Sequence, residues 1–191
     1  MADFTEYHDS ERIVTFRKIR TFFNRVTMAV KFESNVKYVS HSQEQVYNVL
    51  SDLSKIRKVA KTFDVQRPGM DFQMNFIDED TMEIQAKGVS VTFHVVGPDA
   101  LEMTAKGMTV TLRVVEREEL KLVKLSAENS PVPFTMWIQI LPVDAGQAKL
   151  KVTISVEVSM FMKPMISKPC KEGVEMFANL LSIFRYDSLC D

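Results

Sequence analysis

Cysteine is almost absent from this chain: Cys170 and Cys190 are the two in 191 residues. Two thiols cannot build a disulfide scaffold, and their spacing is not that of a zinc site. The three histidines form no cluster with them, so neither a metal nor a cofactor is expected. A large charge of one sign is missing as well. The 24 basic and 25 acidic residues leave a net charge of −1. No global basic field draws the chain to nucleic acid. Apolar runs never exceed a handful of residues, so no transmembrane segment is expected. The start, Met1-Ala2-Asp3-Phe4, lacks the apolar stretch of a signal peptide. With so little cysteine, that points to the cytoplasm. Glycine is scarce, at six residues.

Apolar residues, by contrast, make up 46% of the chain, and twelve of them are methionine. The length fits one domain with an appendage. Residues 1–28 differ from the rest. Asp3, Glu6, Asp9 and Glu11 precede Arg12, Arg17, Lys18, Arg20 and Arg25, while Ile13, Phe16, Ile19, Phe23 and Val26 follow a helical stripe. Three readings fit: a helical arm, a surface for a membrane or partner, or a start mis-assigned ahead of Met28. Residues 29–191 form the main domain.

Phe32, Val36 and Tyr38 alternate with Lys31, Glu33 and Lys37, which predicts a first strand. Ser42 and Gln45 have capping-box spacing, ahead of Val46, Val49, Leu50 and Leu53, so a helix is expected over 43–52. Ser54 is the expected cap of a second short helix carrying Ile56 and Val59. Pro68-Gly69 marks a loop. From there to residue 158 the pattern is alternation, strand after strand. It is cleanest where Leu150, Val152, Ile154, Val156 and Val158 oppose Lys149, Lys151, Thr153, Ser155 and Glu157. Such a pattern predicts an antiparallel sheet with one wet face. A long C-terminal helix over 162–186 carries Met162, Met165, Ile166, Val174, Phe177, Leu181 and Phe184. Pro164 suits its first turn, and Pro169 is expected to kink or restart it.

A repeat lies inside the sheet. Residues 82–96 (MEIQAKGVSVTFHVV) match 101–115 (LEMTAKGMTVTLRVV) at 8 of 15 positions. Each copy reads as a hairpin whose Lys-Gly turn uses glycine for φ > 0.

A curved sheet with one apolar face needs a cover, and the long helix supplies it. The expected fold is therefore α+β: about seven to nine antiparallel strands wrapped on a C-terminal helix, with two short helices after the first strand. That order resembles the helix-grip fold of the START/SRPBCC (Bet v 1-like) superfamily. Residues 36–47 (VKYVSHSQEQVY), 111–118 (TLRVVERE), 130–139 (SPVPFTMWIQ) and 167–175 (SKPCKEGVE) look like small, mostly uncharacterised SRPBCC proteins of Bacteroides-like bacteria. Those relatives carry one hairpin where this chain has the repeat. The resemblance implies a cavity between sheet and helix that holds an apolar molecule or lipid. Some members of the superfamily are cyclases or hydratases, and many only bind.

Catalysis in such a cavity needs titratable groups that point inward. The predicted inward positions carry none, so no catalytic residue is assigned. The expected pocket residues are Met82, Ile84, Phe93, Met103, Met108, Val110, Leu112, Phe134, Met136, Ile138, Ile154, Met165, Val174, Phe177 and Leu181. Their methionines suit a deformable binding surface. Three functions stand side by side. The first is non-catalytic binding of a hydrophobic or amphipathic ligand. The second is a protein-interaction module with a filled core, including a homodimer through a sheet edge. The third is a polyketide cyclase or dehydratase-like enzyme, for which Tyr38, Asn75 and Arg113 are the candidates if a strand register is shifted. His41 and His94 are read as surface residues, and Trp137 falls on the outward face.

Overall fold

The computed structural model describes residues 27–61, 72–86 and 88–189. The readings of residues 1–26, of Pro68-Gly69 and of Cys190 lie outside them. Ten strands form one antiparallel sheet: β1 (Thr27–Glu33), β2 (Lys37–Val39), β3 (Phe72–Phe76), β4 (Thr81–Ala86), β5 (Val89–Gly97), β6 (Ala100–Ala105), β7 (Met108–Glu118), β8 (Leu122–Glu128), β9 (Phe134–Pro142) and β10 (Ala148–Ser159). The spatial order is β1-β10-β9-β8-β7-β6-β5-β4-β3, with β2 beside β1 on β10. Two short helices, α1 (Gln43–Leu50) and α2 (Leu53–Lys61), follow β2, and α3 (Lys163–Ser182) follows β10. This is the expected helix-grip fold, a curved sheet closed around a long helix.

Local chemistry explains most boundaries. The capping box of α1 is complete: the Gln45 backbone N–H donates to the Ser42 hydroxyl at 3.2 Å, and the Ser42 N–H donates to the Gln45 amide oxygen at 3.0 Å. The cap of α2 is Asp52 rather than Ser54. Its carboxylate accepts from the Ser54 backbone N–H at 3.1 Å, and a carboxylate is a strong N-cap acceptor. The predicted first strand is two. Ser34 breaks it by turning inward, where its N–H donates to the Val152 carbonyl and its hydroxyl accepts from the Val152 N–H. Val36 and Tyr38 are consequently exposed. Strand β3 was not anticipated, although FQMNF alternates.

The two copies of the repeat are the consecutive hairpins β4–β5 and β6–β7, each closed by a two-residue loop. Lys106 and Gly107 have φ of 51° and 77°. Two positive φ values make a type I′ turn, whose twist matches that of paired strands. Gly88 has φ 78°, as the first Lys-Gly turn requires.

Helix α3 runs through Pro169 as one unbroken element, not restarted there. Packing on both sides of the proline holds it. Ile166 and Cys170 lie against Val30, Val156 and Val158, while Val174, Ala178 and Leu181 sit in the main core. Its length is about 30 Å at 1.5 Å per residue, somewhat shorter than expected. Beyond it the chain is pinned by Tyr186, which is buried and donates its hydroxyl to the Leu181 carbonyl at 2.6 Å.

Candidate functional site

Helix α3 rests on β10, β1 and β2, at one side of the sheet. The strands β3 to β5 lie at the other end of the strand order and are not among those it rests on. Between them lies an open cavity of about 920 Å³, within the range of small-molecule sites. One wall is apolar sheet: Phe72 of β3, Ile84 and Ala86 of β4, and Val89, Val91 and Phe93 of β5. The other is the flank of α3, with Pro169, Met176, Phe177, Leu180 and Ile183. Polar groups come from Glu33, Asn35, Lys171, Glu172, Glu175, Asn179 and Ser182.

Glu175 is fixed in place. Its carboxylate accepts from the Asn35 backbone N–H at 2.8 Å, from the Asn35 side-chain amide at 3.2 Å, and from the Lys37 ammonium. The Lys37 donor, the Asn35 donors and the adjacent charge hold the Glu175 carboxyl below the ordinary glutamate range. Donors to a carboxylate favour its charged form. Glu175 is therefore an ionised carboxylate, paired with Lys37 and held beside an apolar wall.

Of the expected pocket residues, Ile84, Phe93 and Phe177 line this cavity. Met82, Val110, Leu112, Ile138, Val174 and Leu181 are buried in the core cluster, against which Phe134, Met136 and Ile154 pack. Met103 is half-buried, in register between Phe93 and Val110. Two residues expected to face inward are at the surface. Met108 is 57% exposed and Met165 is 72% exposed. Met108 has the predicted parity but sits at the tip of β6–β7, beyond the cover. Met165 lies nine residues before the buried Val174. At 100° per residue that places it on the opposite side of the helix.

Several contributors to the cavity had no place in the expected set. Phe72 lies on the unanticipated strand. Glu175, Asn35 and Lys37 meet across 138 to 140 positions of sequence, and no local pattern announces such a pairing. Tyr38, Asn75 and Arg113 are exposed, and Arg113 is engaged by Glu128 at 2.9 Å. The registers on either side of Arg113, and that of β3 with β4 at Asn75, keep them on the outer face. Trp137 is on that face too, with Lys31 and Lys124 ammonium groups each 5.9 Å from its ring. His41 is half-buried rather than a free surface residue, edge-on to Tyr186 at 5.7 Å. His94 is exposed and bonds Thr81 at 3.1 Å. Burial raises the Cys170 thiol above its ordinary value, away from nucleophilic character.

No protein-family model matches the chain, and no curated protein sequence does. Solved structures do. Norcoclaurine synthase from Thalictrum flavum, in complex with dopamine and hydroxybenzaldehyde, superposes with a TM-score of 0.55 at 13% identity, over 84% of this chain and 88% of that one. A second structure of the same enzyme gives 0.53 at 16% identity, with the same coverage. A START superfamily protein from Mycobacterium smegmatis is similar at a TM-score of 0.47 and 15% identity, over 82% of this chain and 94% of that chain. At these identities the likeness to norcoclaurine synthase is one of fold. What the chain shares with its neighbours is the sheet gripped around a C-terminal helix.

Proposed function

We propose that this protein binds a small hydrophobic or amphipathic molecule, lipid-like in character, between strands β3–β5 and α3. The observation that carries the proposal is the cavity itself: about 920 Å³, walled by Phe72, Ile84, Val91, Phe93 and Phe177, with the Glu175 carboxylate held at its edge. An apolar body is taken up by burial, and few polar groups orient it. The norcoclaurine synthase structure, with two small aromatic molecules in a chain of the same fold, supports a small-molecule role for such a space. The resemblance to small Bacteroides-like proteins rests on the sequence segments alone and fits a cytoplasmic carrier. A homodimer, in this reading, forms through the outer strand β3, where Phe76 and Ile77 are exposed.

Native mass spectrometry of the full chain purified from its own host tests the proposal. The expected result is a stoichiometric small-molecule adduct that leaves on denaturation. A ligand-free protein that also takes up no added oleate contradicts it.

A further inference from the structure

The link between β10 and α3 carries the most exposed large apolar side chain among the described residues. Phe161 is 88% exposed and is flanked by Met160 at 64%, Met162 at 38% and Met165 at 72%. These four are not on a loose loop. The Met162 N–H donates to the Ser159 carbonyl at 3.0 Å, and the Met165 and Ile166 N–H groups donate to the Met162 carbonyl at 3.1 Å. The turn therefore defines the backbone from which these exposed side chains project. Along this stretch of sequence the charge is of one sign. From Ser159 to Lys171 the sequence contains Lys163, Lys168 and Lys171 and no acidic residue. All three lysines are exposed. Just beyond it, the Glu172 carboxylate is 4.0 Å from the Lys168 ammonium.

From this arrangement we propose that residues 160–171 dock the protein on an anionic lipid bilayer. Phe161 and the methionines enter the headgroup–acyl boundary, and the lysines lie along the phosphates. An apolar tip ringed by lysine, with stems that bury while the ammonium groups stay in water, is the pattern of an interfacial anchor. Four side chains are far fewer than the roughly 20–30 residues per side of a stable protein interface, but they suffice for reversible membrane contact when cations assist. The tip also adjoins the cavity, because Pro169 and Lys171, one and one and a half turns beyond Met165, line it. Docking would bring the cavity rim to the membrane surface. The proposal stands independently of whether the cavity is ever filled, since it concerns vesicle binding alone.

The test is flotation of the full chain with vesicles of phosphatidylcholine mixed with phosphatidylglycerol, against vesicles of phosphatidylcholine alone. The wild-type protein is expected to float with the mixed vesicles and to be released by high salt. The double variant Phe161→Ser/Met165→Ser is expected to lose at least tenfold in vesicle affinity. Lys163→Gln, which leaves the apolar residues in place, is expected to lose roughly fivefold, the effect of about one juxtamembrane cation. Unchanged circular dichroism and melting temperature establish that each variant folds. If the double variant fails that check, the Lys163→Gln result alone decides. Three outcomes overturn the proposal. One is no flotation with the mixed vesicles. Another is flotation that the substitutions leave unchanged, which would assign it to another part of the chain, such as the basic stretch of residues 12–25. The third is a wild-type dimer that the double variant converts to monomer, which would make a second copy the occupant of the tip.

Discussion

The hairpins β4–β5 and β6–β7 share their turn, their strand spacing and over half of their residues, yet they do different work. The first presents Ile84, Ala86, Val89, Val91 and Phe93 to the open cavity. The second contributes nothing to its lining. It sets Val110, Leu112 and Val114 into the core cluster, each at most 9% exposed, where the first hairpin supplies Met82, Ile84 and Val95. Equivalent positions diverge: Phe93 is half-buried where Leu112 is 5% exposed, and Val91 is half-buried where Val110 is 9% exposed. Alternation and the Lys-Gly turn determine a hairpin. They do not determine which hairpin is covered. That depends on place in the sheet, a tertiary quantity on which two similar segments differ.

The contrast can be broken by experiment. The largest effect is expected at Leu112. Leu112→Ala removes packed side-chain volume and should lower stability by about 2–5 kcal/mol in urea unfolding. Phe93→Ala removes a larger side chain that already borders open space, and its loss should be clearly the smaller. Equal losses would mean that the two hairpins are equally packed. The turns should behave alike. A Cβ at Gly107 or Gly88 meets nothing within 4 Å, but both have positive φ. Gly88→Ala and Gly107→Ala should therefore each cost about 1 kcal/mol, through the backbone alone, in thermal melts. A much larger loss in one would show that its turn has neighbours the other lacks.

The smallest effect concerns Glu175. Its folded-state value is lowered by Lys37 and Asn35, so its contribution is present above the unfolded value. That contribution is lost as pH falls through the lowered one. The stability gap between wild type and Glu175→Gln should be constant near neutrality. It should narrow below about pH 4.3, the ordinary glutamate value. A gap that does not vary with pH would mean that the Lys37 and Asn35 contacts do not stabilise the charged form.

The fold was legible because alternation is a local signal and most of this chain is strand. The faces of β5 to β10 were read from parity alone, and the antiparallel registers agree with them. What was missed has identifiable causes. Phe72 was overlooked because FQMNF is short and stands alone after the Pro-Gly loop. Met108 has the right parity, and parity does not say where the cover ends. Met165 is expected on one helical stripe with Ile166 and Val174, but that stripe is narrower than the expectation allows, and Ile166 and Cys170 occupy the packed side. The Lys37–Glu175 pair joins residues 138 positions apart, and only the closed fold brings them together. The cavity residues were the least legible, because a cavity arises where two elements fail to meet.

If the first hairpin forms one wall of a binding cavity, uptake of an apolar probe depends on Val91. Fluorescence titration of the full chain with 1-anilinonaphthalene-8-sulfonate, repeated on Val91→Trp, tests it most directly. Val91 borders the open space, so a tryptophan there obstructs part of the cavity wall and leaves the core intact. Saturable binding by wild type, at least tenfold weaker in Val91→Trp with an unchanged melting temperature, is the predicted result. Equal binding by both proteins, or none by wild type, would contradict it.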